Sequence, residues 1–124
     1  MLKMGNKTIL IVDDDAAVLN ILERTLTASG YSVLKAQNGK DGISVARQRK
    51  PDLVLMDINM PEMSGDVAKE TLKDDPITRD IPVIASTGLV TEKEASKPGI
   101  GGNIFIAKPI SSPELLRRIK EHLA

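Results

Sequence analysis

Four acids, a hydroxyl and an amine stand out in this chain. Asp13, Asp14 and Asp15 form one run, and Asp57, Thr87 and Lys108 each follow a separate apolar stretch. Carboxylates at such places act as cation ligands or as nucleophiles. Two of them about 4 Å apart repel by roughly 4 kcal/mol at an effective dielectric of about 20. A cluster therefore needs a cation or a raised pKa. The chain has no Cys and a single His, so the donors on offer are oxygens, which favours Mg²⁺ or Mn²⁺ over zinc. Lys108 adds a compact positive charge and Thr87 a hydroxyl donor. Together these parts describe a phosphoryl site in which Asp57 is the attacking oxygen and an aspartyl-phosphate the product. Each residue also has a plain role. Asp15 suits a helix N-cap better than a ligand, Asp57 could cap a turn, Thr87 could be a turn residue and Lys108 a solvated one. In isolation the plain roles win, so everything depends on whether the fold brings these residues together.

The elements around them say that it does. Thr8–Val12, Ser32–Ala36, Leu53–Met56, Ile81–Ser86 and Ile104–Ala107 are short runs rich in apolar residues, bounded by turn chemistry, and read as buried strands. Between them lie amphipathic stretches. Ala16–Ser29 stripes Val18, Leu19, Leu22 and Leu26 and closes at Gly30. Asp41–Lys50 follows an Asn38-Gly39 turn and stops at Pro51. Ser64–Asp74 places Val67, Ala68, Thr71 and Leu72 inward and ends at Asp75-Pro76. Thr91–Lys97 allows a short fourth helix, which Pro98, Gly99, Gly101 and Gly102 keep from extending. The last helix opens at Ser112-Pro113-Glu114 and stripes Leu115, Leu116, Ile119 and Leu123, leaving His122 on the surface. Strands alternating with helices over short connections are parallel, with right-handed crossovers. The expected fold is α/β, a flavodoxin-like doubly wound five-stranded parallel sheet of order 2-1-3-4-5 with five helices, the fourth short or irregular. All strand C-termini then share one rim, where Asp13, Asp14, Asp57, Thr87 and Lys108 collect.

Composition narrows the field. A length of 124 residues suits one domain over residues 1–124. Lys plus Arg and Asp plus Glu are 17 each, so no net field draws the chain to nucleic acid or membrane. One Tyr and one Phe give no stacking platform for single strands. No apolar run approaches the roughly 20 residues of a membrane span, and the opening Met-Leu-Lys-Met has no signal-peptide core. The lack of Cys suits a reducing compartment, and the expected location is cytoplasmic.

Four motifs in order carry a resemblance. They are Ile9-Leu10-Ile11-Val12-Asp13-Asp14-Asp15, Asp57-Ile58-Asn59-Met60-Pro61-Glu62-Met63-Ser64-Gly65, Ile84-Ala85-Ser86-Thr87-Gly88 and Phe105-Ile106-Ala107-Lys108-Pro109. Over residues 7–123 the chain resembles a receiver domain of two-component response regulators, and in length it is similar to single-domain chemotaxis regulators. The resemblance implies that Asp57 accepts a phosphoryl group from a sensor histidine kinase or a histidine phosphotransfer protein. It implies that Asp14 binds Mg²⁺ directly, Asp13 mainly through water and Asn59 through its backbone carbonyl. Lys108 would pair with a phosphoryl oxygen. Thr87 and Phe105 would form a switch that alters the face made by the fourth helix, fifth strand and fifth helix. No turnover of a separate substrate is implied, and the downstream target is unspecified.

Three positions depart from the family pattern. Pro98-Gly99 interrupts the fourth helix. Phe105 lacks the hydroxyl of the usual Tyr, so it can signal only by packing. Leu89 is apolar where the family tunes phosphoryl lifetime; it is expected to hinder water, so that Leu89→Glu speeds hydrolysis of the phosphorylated protein.

Three other classes compete. An FMN-binding flavodoxin needs a hydroxyl- and Gly-rich loop after the first strand, where this chain has three acids. A phosphatase with an Asp nucleophile usually has a second acid two residues on, where this chain has Asn59. A receiver-like interaction scaffold that works without phosphorylation would not require Asp57, Thr87, Lys108 and the acid run to be intact. Fold alone does not separate these.

Overall fold

Apolar runs that do not alternate with polar residues become strands covered on both faces. The computed structural model describes residues 7–57, 65–87, 104–107 and 112–123. Strands β1 (Thr8–Val12), β2 (Ser32–Ala36), β3 (Leu53–Asp57), β4 (Val83–Thr87) and β5 (Ile104–Ala107) form one sheet in the order β2-β1-β3-β4-β5. Every neighbouring pair is parallel. The described residues hold four helices, α1 (Ala16–Ala28), α2 (Gly39–Arg49), α3 (Gly65–Asp74) and α4 (Ser112–Leu123). The expected helix over residues 91–97 and Pro98-Gly99 lie outside the described residues.

Strand alternation divides the core in two. On one face Ile9, Ile11, Leu53, Leu55 and Ile84 pack against Leu19, Leu22 and Leu26 of α1 and Leu115 and Ile119 of α4. On the other, Leu10, Val12, Val54, Met56 and Val83 pack against Ala46 of α2 and Ala68 and Leu72 of α3. All of β3 is buried, as the middle strand of a doubly covered sheet must be. Each buried Leu or Ile contributes about 1.5–3 kcal/mol relative to exposure.

Local chemistry sets the helix ends. Asp15 caps α1, its carboxylate accepting from the amides of Ala17 and Val18. Gly30 (φ 95°) then turns the chain left-handed, which a Cβ would oppose. Asn38 caps α2 by accepting from the Asp41 amide at 2.7 Å. That cap starts α2 at Gly39 rather than at Asp41. Lys50 leaves α2 with φ 48°, ahead of Pro51.

Three further details differ from the sequence reading. In α3 Ala68 and Leu72 are buried, whereas Val67 and Thr71 are exposed. The Thr71 hydroxyl bonds the Val67 carbonyl on the outside of the helix. The β4 ladder begins at Val83, opposite Val54. Pro82 before it, without an N–H, only accepts, from the Val54 amide at 2.9 Å. His122 is half-buried, its Nδ1 lying 2.7 Å from the Arg118 carbonyl.

Candidate functional site

Two neighbouring strands end together, and that brings the acids to one place. Val12 is in register with Met56, so the residues that follow, Asp13 and Asp57, meet at the shared rim. The Asp13 amide still donates to the Ala36 carbonyl at 3.1 Å, which ties this position to the end of β2. The turn into α1 then fixes the carboxylate, whose Oδ1 accepts the Asp15 amide at 2.9 Å. Asp15 has its own oxygen committed to the cap, as the sequence suggested.

Carboxylate oxygens of Asp13, Asp14 and Asp57 lie within 4.8 Å of one another. Asp13 and Asp57 are each 3% exposed, and Asp14 is open to solvent. Two buried carboxylates beside a third concentrate acidic oxygens at the rim. The donor set fits a hard divalent cation. Opposite ligands of an octahedral Mg²⁺ are about 4.2 Å apart, twice the Mg–O distance, and the ion typically keeps several waters. An oxygen cluster of this width with one wet side suits one or two direct carboxylates and water for the rest.

The other expected site residues fall at different levels of description. Thr87 ends β4, one residue past Ser86, the register partner of Asp57. Its own partner is Ala107, the residue before Lys108. The backbone of β4 thus carries Thr87 to the rim that holds the acids. Phe105 lies within β5, opposite Ala85. Asn59, Leu89 and Lys108 lie outside the described residues. A cleft of about 460 Å³ between α1, β2 and α2, lined in part by Asn20, Lys35, Gln37 and Asp41, opens beside this rim, and none of the three clustered acids lines it. Sequence reasoning missed the Asp15 amide as a partner of Asp13. Its only signal was the Asp at the N-cap, two residues after Asp13.

Comparisons with known proteins agree with this geometry. Residues 9–120 match the family model described as the response regulator receiver domain. The chain is 38% identical over 118 residues to the polar-differentiation response regulator DivK of Brucella anthropi, covering 94% of this chain and 96% of the relative. A response regulator from Desulfuromonas acetoxidans superposes with a TM-score of 0.81 at 35% identity, over 94% of this chain and 96% of that one. The receiver domain of a sensor histidine kinase from Pseudomonas aeruginosa, with a magnesium ion coordinated in its active site cleft, superposes with a TM-score of 0.82. At 24% identity, over 96% of this chain and 98% of that one, it shares the fold.

Proposed function

The chain belongs to the response regulator receiver domain family of two-component signalling, and on that premise we propose that Asp57 is its phosphoacceptor, within a single receiver domain spanning residues 1–124. The observation that carries this reading is the meeting of Asp13, Asp14 and Asp57 at the end of the two central strands. Asp13 and Asp14, with Asp57 itself and the Asn59 carbonyl, would hold a Mg²⁺ ion. When bound, that ion supplies positive charge to the phosphoryl oxygens.

The chain's own groups do the rest. Burial of Asp57 keeps water away from its carboxylate and leaves one rim for approach. An Asp57 oxygen attacks the phosphorus of a phosphohistidine on a sensor histidine kinase or histidine phosphotransfer protein. The new O–P bond forms as the P–N bond breaks, and the departing imidazole nitrogen keeps the electron pair. Lys108 pairs with a phosphoryl oxygen, and the Thr87 hydroxyl donates to another. These contacts exist in one state only, so they shift the population toward an active arrangement in which Phe105 repacks. The reaction ends on the protein itself and is not turnover of a separate substrate. The charge balance of the whole chain gives nucleic acid no attraction. No helix among the described residues is long and apolar enough to cross a membrane, and the cytoplasm, where kinase domains present phosphohistidine, is the proposed location.

Incubation with acetyl phosphate and Mg²⁺, read by intact mass, tests this. A phosphoryl mass gain that requires Mg²⁺ and is lost in Asp57→Asn is the expected result. No gain in the wild-type protein would overturn it in favour of an interaction scaffold that works without phosphorylation.

A further inference from the structure

Helix α2 carries small residues where it meets the sheet, with Gly39, Gly42 and Ala46 buried. At Gly42 the approach is close. A Cβ there would lie 2.9 Å from Cγ2 of Val12, closer than real Cβ atoms come, and 3.2 Å from its Cγ1, tighter than most such contacts. Nothing about the backbone demands glycine, since Gly42 lies inside a regular helix and its amide bonds the Asn38 carbonyl at 2.9 Å. The requirement is proximity.

Val12 is a poor shock absorber. It is β-branched, so its methyls cannot swing aside by a free χ1 rotation. It is 1% exposed and packed among Leu10, Ala36, Ala46 and Met56. Its backbone is held between Ala36 on one side and Met56 on the other. The next residue is Asp13. Helix α2 is equally fixed at this end, because Asn38 caps it and the first buried turn rests on β1. Pressure at Gly42 therefore passes through Val12 into the Asp13 backbone, and from there into the acid cluster.

We propose that Gly42 is a positioning residue for the metal site, setting through Val12 the depth of Asp13 in the Asp13–Asp14–Asp57 cluster. This rests on the cation-binding reading above. It gives α2, which contributes no ligand, control over metal affinity.

The test titrates MgCl₂ into ¹⁵N-labelled wild-type protein, Gly42→Ala and the double variant Val12→Ala/Gly42→Ala, following amide shifts. The spectra report folding and affinity together. Gly42→Ala is expected to stay folded and to bind Mg²⁺ about tenfold more weakly, the low end of what loss of a metal ligand's support costs. Removing the Val12 methyls in the same chain is expected to restore affinity, a coupling that a general loss of stability would not produce. A folded Gly42→Ala protein with affinity within about twofold of wild type, well under that effect, would sink the proposal. So would a double variant that stays weak. If Gly42→Ala does not fold, the double variant decides: wild-type affinity supports the proposal, while weak binding or no folding overturns it. Failure of the wild-type protein to titrate would remove the cation reading itself and this inference with it.

Discussion

Asp57 and Asp13 pay a cost for their chemistry, because each is buried beside other carboxylates. Removing one charge relieves that repulsion when no cation is present. Asp57→Asn is therefore expected to unfold at a higher temperature than wild type in EDTA, by a few degrees, since roughly 1 kcal/mol moves a domain of this size by about 4 °C. Saturating Mg²⁺ should narrow or reverse the gap, because ligand bound to the native state stabilises by mass action. Thermal melts of both proteins in EDTA and in Mg²⁺ check this; a lower midpoint for Asp57→Asn in EDTA would contradict it. Thr78 shows the opposite situation, a buried hydroxyl fully served. Its Oγ1 donates to the Leu72 carbonyl at 2.6 Å, at the end of α3. Thr78→Val should cost about 1–3 kcal/mol in urea unfolding, because it leaves that carbonyl without its donor. The acids were legible from type and spacing alone. Thr78 was not, since a Thr two residues after a Pro carries no mark of burial.

Helix ends are where single residues count most. Asp15 serves two amides of α1 and lends its own amide to Asp13. Asp15→Ala keeps the backbone bond and loses the cap, so stability should fall by about 1 kcal/mol with Mg²⁺ affinity little changed. Denaturation and metal titration on the same variant separate the two effects. Lys50 holds a left-handed backbone that disfavours a side chain. Lys50→Gly should raise stability by up to about 1 kcal/mol, since glycine takes that conformation without the Cβ penalty; a lower urea midpoint would contradict this. The sequence placed α1 and the last helix well, because the stripe of each, and the cap of α1, agree with the bounds. It misplaced the inward face of α3 because Val67–Ala68 and Thr71–Leu72 are adjacent pairs, and either member fits a 3.6-residue stripe. Packing into the core cluster that the sheet shares with α2 chose Ala68 and Leu72. The N-cap at Asn38 was read as a turn, since Asn-Gly suits both.

At the scale of the whole molecule, strand order follows from alternation and from which runs are most apolar. β3, buried throughout, had to be central, and the acids at its end and at the end of β1 had to be neighbours. That much was legible in the chain. Register was not, because nothing in Ile81-Pro82 says that the ladder starts one residue later, at Val83. The order β2-β1-β3 has one more outcome. These three adjacent strands, and every acid of the cluster, come from residues 8–57, whereas Thr87 and Lys108 come from the second half. A ribosome thus releases the anionic half of the site first. At about 5–20 residues per second, the half that carries Thr87 and Lys108 follows several seconds later. Until then the acids have nothing from β4 or β5 to meet, so the site is completed only by the later half of the chain.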